Sequence, residues 1–286
     1  MINIERLLEN DFLQACEFLS PINSKPETHI GYCPTSFDEL LDSIQHELAV
    51  SVVAKRNNQI IGFIGMDLDE ESRPGEIWGP FITLDEELSL SIKMWEKLQS
   101  LLPFELESAN GFCHVKNKHA IQFMTEIGSE RRDEHYVFSL DRNNFIYVTD
   151  PIIQPYDSRF KDRFIHLHDK IFSNTYYSGR QIIDRLNENH KIFMAIEQNE
   201  LLGYVYVEAN PKYQDGSIEF IGTSEGARNR GIGTKLLKKA IYFLFQHNEI
   251  KDIHLSVNAS NIQAVKLYEK TGFSKEKTLV HFLFKR

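Results

Sequence analysis

The sequence predicts an α/β protein made of two tandem units, each a mixed, mostly antiparallel sheet flanked by helices. Length is the first reason. The chain has 286 residues, and at roughly 100–200 residues per domain two domains are the default. The second reason is an internal repeat. Ser51–Ile77 aligns without a gap on Ile192–Ile218, pairing Ala54 with Ala195, Asn58 with Asn199, Gly62 with Gly203, Gly75 with Gly216 and Ile77 with Ile218. A second window, in the same order and at nearly the same shift, pairs Asn117 with Asn261, Ala120 with Ala264, Gly128 with Gly272 and Phe138 with Phe282. The third reason is the order of local patterns, which is the same in both copies.

In the second copy, Arg180–Asn189 reads as a short helix. Lys191–Glu197 and Leu201–Ala209 are β-rich runs joined by the turn Gln198–Glu200, a hairpin. Ser217–Thr223 is a third strand. Gly231–Gln246 is a long helix with Ile232, Leu236, Leu237, Ala240, Ile241 and Leu244 at helical spacing. Asp252–Val257 is a strand, Asn261–Lys270 a helix ended by Gly272, and Leu279–Phe284 a last strand. The first copy repeats the order: strands Ser51–Arg56, Ile60–Leu68 and Glu76–Ile82, helices Glu86–Leu102 and Asn117–Ile127, strand Tyr136–Leu140. Turn-forming residues place the join in Asp141–Pro151. The expected domains are therefore 1–144 and 150–286.

Hydrophobic residues make up 42% and include 20 Phe, enough for two cores and against disorder. No run approaches the ~20 apolar residues of a membrane span. The start lacks a basic, then apolar, leader. Three distant cysteines, Cys16, Cys33 and Cys113, suit neither a disulfide framework nor a zinc site. A soluble, cytoplasmic protein without a metal is expected. The net charge of −9 argues against nucleic-acid binding. That charge is uneven: residues 1–144 hold 25 acidic and 12 basic side chains, the remainder 16 and 20. An anionic ligand is expected on the second half.

The chemistry sits in Ser217–Thr234, SIEFIGTSEGARNRGIGT. A strand runs into a Gly-rich turn that opens a long helix. The first N–H groups of a helix lack intrahelical partners and converge on an anion. Gly231 and Gly233 would let a diphosphate reach the backbone, and Arg228 and Arg230 add charge. The turn is neither a Walker A loop nor GxGxxG. An ordinary glycine-containing helix start is the alternative. Arg228-Asn229-Arg230-Gly231-Ile232-Gly233 resembles the Arg/Gln-x-x-Gly-x-Gly/Ala signature of the GNAT N-acetyltransferases. Val257–Phe273 is similar to that family's second block, with Asn261, Ala264, Tyr268, Gly272 and Phe273 in its positions. The resemblance covers about 160–286 well and extends weakly, through the repeat, to the first copy.

The resemblance implies an N-acetyltransferase using acetyl-CoA as co-substrate. It implies that the amides of Asn229–Thr234 (Asn229, Arg230, Gly231, Ile232, Gly233, Thr234) bind its diphosphate. It also implies that Ile221, Gly222 and Thr223 pair with the pantetheine arm and orient the thioester carbonyl, and that Asn261 contacts the coenzyme. A helix N-cap is the alternative for Asn261, and the two roles are compatible. Tyr268 matches the tyrosine that protonates the leaving thiolate, against a plain packing role. Some relatives place a carboxylate base five residues before the Asn; here that residue is Ser256. Glu219, on the strand before the turn, is the expected base acting through water, with Ser217, Glu219 and Ile221 on one face; the alternative is an exposed strand glutamate. His166 and His168, two apart on a predicted helix, share no face and receive no role.

The first copy departs from this pattern. PFITLDEELSLSIKMW stands in place of the turn, with Asp85, Glu86 and Glu87 where phosphates would bind. Met124 replaces Tyr268 and Ser129 replaces Phe273. Loss of coenzyme binding is expected there. The acceptor is expected to be a small-molecule amine or a peptide N-terminus, cationic if the acidic copy, for instance its Asp67–Glu71 run, borders the cleft. A non-catalytic acyl-CoA sensor is the competing reading. The oligomeric state is not legible.

Overall fold

The structure, a computed structural model, describes all residues except 69–74, 84–85, 143–149 and 174. Most of the expected join at Asp141–Pro151, part of the Asp67–Glu71 run, and Asp85 therefore lie outside the described residues. The chain forms two compact units, residues 1–135 with 277–286, and residues 136–276. The first unit is discontinuous, closed by the last ten residues of the chain, and the second is continuous; the division into 1–144 and 150–286 read from the sequence lacks this exchange.

The first unit contains strands β1 (Ile2–Arg6), β2 (Leu48–Arg56), β3 (Gln59–Asp67), β4 (Gly75–Ile82) and β5 (Ser108–His114). Its helices are α1 (Phe12–Asn23), α2 (Phe37–His46), α3 (Leu88–Leu101) and α4 (Lys118–Glu126). The chain then enters β6 (Glu130–Asp141). The second unit follows with β7 (Ile153–Pro155), α5 (Lys161–Ile171), α6 (Gly179–Asp184), β8 (His190–Glu197), β9 (Glu200–Asn210), β10 (Asp215–Thr223), α7 (Ile232–Leu244), β11 (Asp252–Asn258) and α8 (Ile262–Lys270). Last comes β12 (Ser274–Lys285).

The two units repeat one strand order. In the first, β1, β2, β3 and β4 are successive antiparallel neighbours, β4 pairs with β5 in parallel, and β12 closes the edge antiparallel to β5. In the second, β7, β8, β9 and β10 are antiparallel, β10 pairs with β11 in parallel, and β6 lies beyond β11. Each copy thus gives its last strand to the other unit. Cores follow this exchange: Val280, Phe282 and Phe284 are buried with Trp95 and Phe123 of the first unit, and Phe138 with Leu236, Val257 and Tyr268 of the second.

Local chemistry also repeats. The first hairpin turns on Asn57 and Asn58 and its counterpart on Gln198 and Asn199, all four with positive φ, the twist that two-residue hairpins require. Gly128 and Gly272 end α4 and α8 in the left-handed region. The second unit's sheet is covered on both faces. Alternate residues Phe193, Ala195, Val205 and Val207 face α7 and α8, while Ile192, Met194, Tyr204 and Tyr206 face α5 and α6. Among the described residues no helix is long and apolar enough to cross a membrane. Helices α1 and α2 and strands β1, β5 and β7 were not assigned from sequence, and α6 is shorter than expected.

Candidate functional site

Strand β10 carries a bulge. Ile218 opposes Val207 and Phe220 opposes Tyr206, which leaves Glu219 as the extra residue. The bulge changes which side each residue faces. Ile218 and Ile221 pack on the α7–α8 core, but Phe220 packs on the α5–α6 core. Ser217 and Glu219 stay together, since a hydrogen bond from Ser217 stabilises the Glu219 carboxylate. Ile221 does not share their face, which corrects the simple alternation read from sequence.

Strands β10 and β11 are parallel partners only from Asp215–Ser217 against Asp252–His254. Beyond that they separate. Among the described residues no segment is bridged to β11 in the gap, and the edge of Glu219–Thr223 away from β9 faces it. In the first unit the matching strands β4 and β5 also pair over three residues, Gly75–Ile77 against Ala109–Gly111. There the gap is filled. Ile30 forms an antiparallel bridge with Cys113, the Gly31 N–H donates to the Phe112 carbonyl at 2.9 Å, and the His114 N–H donates to the His29 carbonyl at 3.0 Å. The side chain of Asn23 holds this segment, accepting from the Ile30 N–H and donating to the Cys33 carbonyl, both at 2.8 Å.

The turn after β10 leads into α7. Asn229 and Gly231 have φ of 61° and 75°, a backbone that a β-carbon disfavours. A side chain on Gly231 would meet nothing within 4 Å; one on Gly233 would lie 3.2 Å from Leu267 of α8. Gly231 therefore leaves open space, and Gly233 serves helix packing. No side chain caps α7, and the first amide to bond back is Lys235, onto the Gly231 carbonyl at 3.2 Å. The amides of Ile232, Gly233 and Thr234 are left as a donor cluster without an acid in the first turn. Arg228 is exposed, and Arg230 is paired with Glu197 at 2.5 Å. In the first unit the N-cap of α3 is Glu87 and Glu86 is ion-paired with Arg56. Pro80 stands in the repeat position of Ile221 and has no N–H to offer.

Glu219 is half-buried and accepts a hydrogen bond from the Tyr176 hydroxyl. Burial, then the nearby Glu208 carboxylate, push its carboxyl above the usual range; Ser217, Tyr176 and Arg185 act in the opposite direction. Glu208 is held by Arg185, at 3.1 Å, and by the Tyr206 hydroxyl. The Arg185 guanidinium lies over the Tyr177 ring at 4.3 Å. Tyr268 is 5% exposed, between Phe138 and Phe273 at 6.0 and 6.2 Å. Burial raises its hydroxyl to about 12, and among the described residues that hydroxyl has no recorded partner. Asn261 caps α8, accepting from the Ala264 N–H at 3.1 Å, and among the described residues its amide nitrogen is uncommitted. Its counterpart Asn117 caps α4 likewise and also donates to the His29 carbonyl at 3.3 Å. Of the two histidines on α5, His166 is exposed and His168 is fully buried. The tyrosine pair 176–177 and the His168 bonds were missed, because they lie in a loop without period and on a polar-looking helix.

Residues 161–273 match the model of the acetyltransferase (GNAT) family. A 93-residue stretch, 32% of this chain, is 30% identical to N-alpha-acetyltransferase 30 of Xenopus laevis and spans 34% of that protein. N-alpha-acetyltransferase of Saccharolobus solfataricus is 30% identical over 97 residues, covering 30% of this chain and 58% of its own length. Among solved structures, a GCN5-related N-acetyltransferase from Sphaerobacter thermophilus superposes with a TM-score of 0.77 at 13% identity, covering 99% of this chain and 95% of its own. A tandem GNAT protein from the clavulanic acid biosynthesis pathway gives 0.71 at 11% identity, covering 100% and 98%. Residues 161–273 are therefore similar to the GNAT acetyltransferase family, in a chain with the fold of tandem GNAT proteins over its whole length.

Proposed function

We propose that the protein is an N-acetyltransferase that moves the acetyl group of acetyl-CoA directly to a primary amine. One observation carries the reading: the open edge between β10 and β11 ends at the uncapped amides of α7. A thioester on a pantetheine arm fits an extended gap with free strand edges, and a diphosphate fits converging N–H groups. The amides of Asn229–Thr234 with Arg228 would hold the diphosphate, and those of Ile221–Thr223 the arm. Asn261 has an amide nitrogen to spare for the coenzyme.

Acetyl-CoA supplies an activated acyl carbon and a thiolate leaving group. The amine nitrogen attacks the carbonyl carbon, the C–S bond breaks, and the amine surrenders a proton. Glu219 receives that proton through water; its raised proton affinity makes it a stronger base than an exposed carboxylate. Tyr268, protonated at neutral pH, donates to the departing sulfur. The acceptor approaches from the Tyr176 side, where the Glu208 and Glu219 carboxylates beside Arg185 favour a cationic amine. The named relatives are N-alpha-acetyltransferases, and a further one, 36% identical over 50 residues, is aminoglycoside N(6')-acetyltransferase type 1 of Klebsiella pneumoniae. Three unbridged, buried cysteines fit a reducing cytoplasm. The test is acetyl transfer from labelled acetyl-CoA to a polyamine, an aminoglycoside and a short peptide with a free N-terminus. Tight coenzyme binding without transfer to any amine would leave a sensor instead.

A further inference from the structure

We propose that His168 is a positioning residue, which holds the Thr175–Ser178 segment so that the Tyr176 hydroxyl stays on the Glu219 carboxylate. The proposal rests on the reading of Glu219 as proton acceptor for its kinetic consequence, and on geometry alone for its structural one.

His168 has no exposure to solvent. Its ring sits among Phe164, Phe172 and Phe220, edge-on to Phe220 at 4.9 Å. Both ring nitrogens are committed: Nε2 lies 2.8 Å from the Tyr177 carbonyl oxygen and Nδ1 lies 2.5 Å from the Tyr204 hydroxyl. A carbonyl oxygen can only accept, so Nε2 carries the proton and Nδ1 accepts from Tyr204. The tautomer is thus fixed by two partners. Burial lowers the imidazole's proton affinity, against the Tyr177 carbonyl and Asp169, and a second ring proton would face a hydroxyl that now donates. His168 is therefore a neutral, single-tautomer donor.

Its acceptor matters because of the neighbouring residue. Tyr176 is 49% exposed, and its ring is tilted over Phe220 at 4.9 Å while its hydroxyl reaches Glu219. An exposed side chain keeps one rotamer only if its backbone is anchored. The anchors are His168 on the Tyr177 carbonyl, Asp169 on the Gly179 N–H at 2.8 Å, and the Ser178–Gln181 capping box. Asp169 fixes the start of α6, while His168 holds the carbonyl and the box holds the N–H of the Tyr177–Ser178 peptide, next to Tyr176. The groups facing Glu219 are Ser217 on its own strand, Glu208 on β9, Arg185 after α6 and Tyr176. Of these, Tyr176 is the neighbour in sequence of the anchored Tyr177, and its bond favours the ionised carboxylate.

The test uses the full chain and His168→Phe, which keeps the ring and removes the donor. Hydrogen exchange at Thr175–Ser178 should quicken about tenfold or more. With the best amine among a polyamine, an aminoglycoside and a peptide, the acidic limb of the kcat/KM profile should move to higher pH, the amine KM should rise, and acetyl-CoA affinity should stay unchanged. Tyr204→Phe, which loses one hydroxyl, should shift both readouts in the same direction by less, and keeps the question answerable if the first variant does not fold. Nitrogen NMR of the wild-type imidazole should show the neutral Nε2–H form at pH 6–8. A protonated or Nδ1–H ring, or unchanged exchange in both variants, overturns the proposal. Failure of every amine in the wild type would sink the enzymatic reading and leave exchange and tautomer to decide the positioning role.

Discussion

Phe138 and Phe282 hold equivalent places in the two repeats, and each is buried in the core of the unit that the other repeat mainly builds. Each unit then needs a strand encoded far from its partner in the sheet: Phe282 pairs with Gly111, 171 residues away. Such distant pairing slows folding, since loop closure precedes the contacts that reward it. A fragment from Asp150 to Arg286 would lack Phe138, an edge strand of its own unit.

That exchange can be read by fluorescence. Both tryptophans, Trp78 and Trp95, lie in the first unit, Trp95 against Phe284 at 5.3 Å. Phe282→Ala, far off in sequence, should lower the tryptophan-detected unfolding free energy by the ~3–5 kcal/mol typical of a buried Phe. Phe138→Ala should leave that signal nearer wild type while destabilising Tyr268's surroundings. The reverse pattern in denaturant titrations would mean that the last strands stay with their own repeats.

Acetyl-CoA should bind once per chain. Calorimetry should give one site, and Gly231→Val should remove it, because a side chain there enters open space at a φ that also strains the turn. Gly231→Ala separates the two effects: strain of about 1–2 kcal/mol should appear in the melting temperature, obstruction in the affinity. Two sites, or unchanged affinity in both variants, would place the anion elsewhere.

Tyr268→Phe should keep the fold and coenzyme affinity, because the ring packs on Phe138 and Phe273 and the hydroxyl bonds to nothing described. Turnover should fall on the order of 10²–10⁴-fold. A loss under about threefold in steady-state kinetics would leave Tyr268 a packing residue.

Glu219 couples chemistry to stability with a definite sign. Its carboxyl is raised in the folded state, mainly by burial. The stability it contributes is present below the ordinary carboxylate range and is lost as pH rises through the raised value. Above that value the ionised side chain weighs on the fold. Glu219→Gln keeps an acceptor for Tyr176, so it should melt no lower than wild type at pH 8 while losing amine-dependent turnover. A clear drop in melting temperature without loss of rate would reverse this assignment.

Periodicity and turn chemistry made the repeat, the strand order and the α7 turn legible, because each is written in neighbouring residues. Strand exchange was not legible: the β6 and β12 sequences specify strands, and nothing local says which sheet edge each joins. Ile221 was misplaced because a bulge at Glu219 leaves no mark in an alternating pattern. His29–Gly31 lies in a stretch without period, so its insertion beside β5 follows only from tertiary pairing and the buried Asn23 side chain. Of the candidate site, residue types came through; the uncapped helix and the Tyr176–Glu219 bond depended on three-dimensional placement.

The segment His29–Gly31 amounts to a tethered competitor for the first unit's gap. Held on the same chain, it meets β5 at an effective concentration in the millimolar range, and Asn117 donates to its carbonyl with the amide nitrogen that Asn261 keeps uncommitted. A free ligand entering there must first evict a group that never diffuses away. Grafting a glycine turn onto the head of α3 would restore the anion donors and still leave this unit shut; the segment would have to be excised as well.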